Sequence, residues 1–141
     1  MDPRSKILGE LFGNLSNHQR RDEILKELYA PNIVFEDPLQ HVEGIDAFRE
    51  ALFRMERKVK SVTVRLTSDV ATGSTLAVQW EMDYGLGFIP GKGKMLGVSW
   101  MTFDDSGKCV HQRDYWDLAG LLEQFVPVLK PFLAMIRKLG A

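Results

Sequence analysis

The 141 residues suffice for one domain with a substantial core, and 45% hydrophobic and 26% charged content are ordinary for a soluble globular protein. A net charge of −1 leaves no basic field for nucleic acid, and a single cysteine, Cys109, excludes an intrachain disulfide. No run approaches the roughly 18 apolar residues of a membrane span, and MDPRSKILGELF, interrupted at Gly9 and Glu10, lacks a signal-peptide pattern, so a cytoplasmic protein is the expectation.

Ile7, Leu8, Leu11, Phe12 and Leu15 recur at helical spacing. Ser16 or Asn17 can cap a second helix carrying Ile24, Leu25, Leu28 and Tyr29, which Pro31 ends. Asn32–Asp37 reads as a short strand with Ile33, Phe35 and Asp37 on one face, and Pro38 holds Asp37 extended. From Gly44 to about Lys58 an amphipathic helix carries Ile45, Phe48, Leu52 and Met55 as its buried stripe. Arg54, Arg57, Lys58 and Lys60 cluster at its C-terminal end, where the helix dipole favours cations, and read as a solvated face.

From Ser61 the period shortens to two. Val62, Val64 and Leu66 alternate with polar residues, and Gly73 turns the chain into Leu76–Tyr84. There Leu76, Val78, Trp80, Met82 and Tyr84 share one face, and Ala77, Gln79, Glu81 and Asp83 the other. The glycine-rich connection Gly85–Gly93 lacks the strand-to-helix context of a phosphate loop. Lys94–Phe103 and Lys108–Asp117 complete the run of strands, with Val110, Gln112, Asp114 and Trp116 on one face of the last. Leu118–Leu139 returns to a helical pattern interrupted by Pro127 and Pro131. This tail reads as core or as a lid, with contact to a membrane surface the lesser alternative. The order implies one α+β domain over residues 1–141, with helices on one face of a curved, mainly antiparallel sheet.

YAPNIVFEDP at Tyr29–Pro38, the helix start at Gly44–Phe48 and QRDYWDL at Gln112–Leu118 together resemble the nuclear-transport-factor-2-like superfamily, which includes SnoaL-like polyketide cyclases, ketosteroid isomerases and limonene-epoxide hydrolases. The resemblance implies a cone-shaped sheet wrapped around three helices, an internal pocket for a small apolar molecule, no cofactor, and a homodimer formed through the outer sheet face. By similarity to the isomerases, Asp37 occupies the place of the catalytic base, while Ser99 stands where an oxyanion-hole acid is expected. By similarity to the epoxide hydrolases, Asp114 and Asp83 occupy the catalytic acid positions and Glu81 stands in place of the arginine. The cyclases likewise use a final-strand aspartate, matching Asp114.

In that cone Asp37, Glu81, Asp83, Ser99 and Asp114 are expected around one cavity, with Phe35, Met101 and Trp116 as apolar neighbours. Asp37, Asp83 and Asp114 are then the candidate catalytic residues. Phe35, Glu81, Ser99, Met101 and Trp116 are the candidate binding residues. Crowded, desolvated carboxyls raise one another's pKa, which suits proton abstraction beside a carbonyl, aldol-type cyclisation or hydration. The alternative is a non-catalytic ligand-binding or interaction module. Alternation alone does not choose between the two sheet faces. Expected at the subunit contact are Val78, Trp80, Met82, Val98, Trp100 and Tyr115. His18, His41 and His111 lack metal-ligand spacing.

Overall fold

The computed structural model describes residues 1–86 and 91–140; the centre of the Gly85–Gly93 connection, Ala141 and the side chains of Lys60 and Leu86 lie outside the described residues. Helix α1 (Pro3–Gly13) starts with a proline, whose missing N–H costs nothing in the first turn, and the Asp2 carboxylate caps the Arg4 N–H. Asn17 caps α2 (His18–Leu28). The next segment, β1 (Tyr29–Asp37), begins three residues earlier than the sequence pattern suggests and forms a hairpin with β2 (Gln40–Glu43), a strand too short and polar to show in the pattern.

Gly44, at φ 92°, makes the turn into α3 (Ile45–Lys58) in a backbone conformation that favours glycine. Four long strands follow: β3 (Val59–Thr72), β4 (Thr75–Leu86), β5 (Lys92–Phe103) and β6 (Cys109–Trp116). The tail forms α4 (Leu118–Phe125), a 3-10 turn at Pro127–Leu129, and α5 (Lys130–Leu139).

The sheet runs β2-β1-β6-β5-β4-β3, antiparallel except where β1 lies parallel to β6. Register shifts occur in the β3–β4, β5–β6 and β1–β6 pairings. Such irregularities add twist and bend the sheet. On the concave side α1 and α2 bury Leu8, Leu11, Ile24, Leu25 and Leu28, and α3 buries Phe48, Ala51 and Leu52. Phe48 stacks on Phe35 at 4.8 Å between ring centroids and meets Tyr29 edge-on at 4.9 Å. Asp69 on β3 accepts the Ser5 hydroxyl at 2.7 Å and the Asp2 N–H at 2.8 Å, which pins the start of α1 to the sheet. The expected α+β cone around three helices is thus present. No single described helix is long and apolar enough to cross a membrane.

Pairing corrects the assignment of faces. Val78 opposes Ser99, Leu76 opposes Met101 and Trp80 opposes Gly97. Directly paired residues share a face, so Val78, Trp80 and Met82 point into the cone with Ser99 and Met101, not toward a subunit contact. Val78 and Trp80 are buried within the single chain. Glu81 and Asp83 therefore lie on the convex side, where their partners are Leu96 and Lys94. Trp80 lies over Gly97 so closely that a Cβ there would overlap its indole ring. Gly97→Val is expected to destabilise the fold by about 1–3 kcal/mol through this overpacking; a urea denaturation midpoint equal to wild type would show that the ring has room to move.

Candidate active site

The cone encloses a cavity of about 420 Å³, within the size range of small-molecule sites. Its walls come from α1 and α3, the inner faces of β1, β4, β5 and β6, and Leu121 of α4. Apolar groups dominate, among them Leu8, Phe12, Phe35, Met82 and Trp116. Asp114 reaches this cavity because β6 alternates: Gln112, Asp114 and Trp116 face inward, while Arg113 and Tyr115 face out and are exposed.

Four side chains orient the Asp114 carboxyl through a chain of directed hydrogen bonds. The Trp80 indole N–H donates to Ser99 Oγ at 3.0 Å, and the Ser99 hydroxyl donates to Asp114 Oδ1 at 2.7 Å. From the other side the Tyr29 phenol donates to Gln112 Oε1 at 2.6 Å, and Gln112 Nε2 donates to the same Oδ1 at 2.9 Å. Asp114 Oδ1 thus accepts two hydrogen bonds. Oδ2 accepts none among the described residues and is the oxygen left for a proton or a ligand.

Burial pushes the Asp114 carboxyl up to about 6; the Ser99 and Gln112 donors hold it down in part, and the negative charge of Asp37 raises it further. The Tyr29 phenol is pushed well above its ordinary value, chiefly by burial, and so stays a proton donor to Gln112. These shifts place Asp114 near an equal mixture of acid and base just below neutrality, the condition for exchanging protons in both directions.

The other expected site residues separate into three groups. Asp37 lines the cavity, but its carboxylate closes the β1–β2 hairpin: Oδ1 accepts the Leu39 and Gln40 N–H groups at 2.8 and 3.1 Å, and Oδ2 accepts Gln40 Nε2 at 3.1 Å. Phe35 and Trp116 form cavity wall. Ser99 and Met101 are fully buried behind that wall; Ser99 meets the cavity through Trp80 and Asp114, and Met101 belongs to the core. Asp83 and Glu81 are absent from the cavity: Glu81 pairs with Arg65, and Asp83 lies 3.9 Å from Lys94 on the convex side. The expected four-acid cluster is therefore two acids, Asp37 and Asp114.

The sequence pattern places Gln112 on the pocket-facing side of β6 but gives it no role, and it does not mark Tyr29 or Trp80 as members of the site. Gln112 had a usable signal, since it sits two residues before Asp114 on the same strand face. Trp80 and Tyr29 had none, because their partners are 19 and 83 residues away. The histidines serve outside the cavity: His41 and His111 both bond Glu36, at 2.8 Å each. No group of three metal-capable side chains occurs among the described residues. Cys109 is buried and its thiol is pushed up to about 12, chiefly by burial, which removes it as a nucleophile.

Residues 12–112 match the model of the SnoaL-like domain. The chain belongs to this family. Among solved structures, a SnoaL-like relative described as a putative polyketide cyclase from Jannaschia sp. CCS1 is 16% identical, with a TM-score of 0.71, covering 87% of this chain and 94% of its own. An NTF2-like protein of unknown function from Exiguobacterium sp. 255-15 is 18% identical, with a TM-score of 0.71, covering 82% and 98%. A limonene-epoxide-hydrolase-like epoxide hydrolase from M. tuberculosis is 16% identical, with a TM-score of 0.66, covering 92% and 93%. At these identities the likeness is one of fold. No curated protein matches the chain. The SnoaL-like match ends at residue 112, within β6 and before α4 and α5.

The raised carboxyl has a thermodynamic signature in this SnoaL-like domain. In the unfolded chain Asp114 ionises near its ordinary value, and in the folded chain near 6. Its contribution to stability is therefore full below about pH 4 and is lost as pH rises through about 6. Asp114→Asn removes this loss. The variant should gain on the order of 2–3 kcal/mol relative to wild type between pH 4 and pH 8, measured by urea denaturation at both pH values. A difference that does not change with pH would contradict the burial of the charge.

Proposed function

We propose that this SnoaL-like protein is a cofactor-free acid–base enzyme acting on a small, largely apolar carbonyl compound, with Asp114 as the group that moves the proton. The observation that carries this reading is the Asp114 carboxyl itself: one oxygen held by Ser99 and Gln112, the other without a protein partner, in an apolar cavity that brings its pKa to about 6. Ionised, Oδ2 removes a proton from carbon beside the carbonyl; the C–H electrons move into the enolate, and the same oxygen returns the proton to that carbon or to another. Trp116 lines the cavity and its indole N–H has no hydrogen-bond partner among the described residues, so we assign it as the donor to the developing oxyanion. Asp37 is assigned to positioning, because its three N–H donors belong to the hairpin that forms part of the cavity wall. The likeness to a structure described as a putative polyketide cyclase supports a reaction of this class.

The competing reading is a ligand-binding module without turnover, favoured by the employment of Asp37 in the hairpin. Deuterium incorporation from D₂O into 1-tetralone, followed by proton NMR, separates the two. The enzyme reading expects catalysed exchange that rises with pH through about 6, and a loss of about 10²- to 10⁴-fold in Asp114→Asn. Binding without catalysed exchange supports the module.

We also propose self-association through the convex sheet face, where Leu96, Trp100 and Tyr115 are exposed. Trp100→Glu should convert a dimer into a monomer in sedimentation velocity. A wild-type monomer at tens of micromolar, or a dimeric variant, rejects this surface.

A further inference from the structure

Two cations stand at the rim of the cavity, and their placement bears on what it holds. Arg54 and Lys58 are four residues apart on α3, hence one above the other on the same helix face. Both line the cavity while remaining exposed to solvent. Neither forms an ion pair or a hydrogen bond with any described residue. The helix dipole accounts for Arg57 and Lys58 in the last turn, but not for which basic residues face the opening. Arg57, in the same turn, instead lies over the Phe53 ring at 4.7 Å and does not line the cavity.

The acids of the cavity do not neutralise the rim. Asp37 is occupied by the three N–H groups of its hairpin, and Asp114 is held by Ser99 and Gln112, which are both buried. The cavity thus has an apolar middle formed by Phe12, Phe35, Met82 and Trp116, a hydrogen-bonded carboxyl on its inner wall, and at its opening two cations with no ion-pair partner among the described residues.

We propose that the natural ligand is an amphipathic organic anion: an apolar, carbonyl-bearing body that fills the cavity beside Asp114, and a carboxylate-type oxyanion head that stays at the rim between Arg54 and Lys58. This inference rests on the cavity being the ligand site and is independent of whether Asp114 catalyses. The head remains partly hydrated, so the cations contribute mainly selection and orientation, and little of the total affinity. Anchored at the opening, the ligand can enter in only one direction, which fixes the part of its body that meets Asp114 Oδ2.

Isothermal titration calorimetry with 2-naphthoate and its uncharged methyl ester, at pH 8 and low salt, tests the assignment. Wild type should bind the acid about five- to tenfold more tightly than the ester, the gain expected from two exposed charge pairs. The preference should shrink as salt is added. Arg54→Gln/Lys58→Gln should lose the preference while keeping its affinity for the ester; both positions are exposed, so the fold tolerates the change. Arg57→Gln should retain the preference. Equal binding of acid and ester by wild type, or a preference that survives the double substitution, overturns the headgroup assignment and leaves the cavity reading intact. If neither compound binds, the cavity reading falls with it.

Discussion

Trp80 occupies the space that a side chain at position 97 would fill, and much of the site follows from that overlap. Because Gly97 presents only backbone, the indole ring can lie close against β5 inside the cone. The ring then forms cavity wall with one part of its surface and offers its N–H to Ser99 with its edge. Ser99, one strand pair further, passes that orientation on by donating to Asp114. A steric allowance on β5 thereby sets the direction of a carboxyl on β6.

The second arm of the network has the same logic. Tyr29 begins β1 and touches Phe48 of α3, so its phenol is fixed by packing before it donates to Gln112. Both arms end on Oδ1. Their donors come from four strands, which makes the orientation of Asp114 a property of the assembled sheet. The cost is a carboxyl kept where its charge is poorly solvated, a common way for a functional group to be maintained at the expense of stability.

Asp37 and Asp114 illustrate how different two aspartates facing one cavity can be. Asp37 precedes a proline at a hairpin, and the nearest donors are backbone N–H groups two and three residues on. Its environment is local. Asp114 has donors at positions 99 and 112, and behind them 80 and 29, so its environment is assembled from distant chain segments. Spacing in the sequence marks both residues equally; only the origin of their partners separates a turn acceptor from a group with a free oxygen.

Much of the fold was already written in the sequence by itself. The helical periods within the first 58 residues, the switch to alternation at Ser61, the cap at Ser16 or Asn17 and the prolines of the tail each report a local backbone preference. The inward set on β6 was equally legible, because residues 112, 114 and 116 share a face whatever the sheet does. What alternation could not supply was the sign of the face on β4. Glu81 and Asp83 alternate with Trp80 and Met82 in either orientation, and only the pairing of Trp80 with Gly97 and of Val78 with Ser99 turned the acids outward. Likewise the sequence showed a basic end to α3, but not that Arg54 and Lys58 border a cavity while Arg57 stacks on Phe53. Period and capping depend on neighbours along the chain; the choice of face and the membership of the site depend on which strands meet, and that is decided only when the sheet closes around its helices.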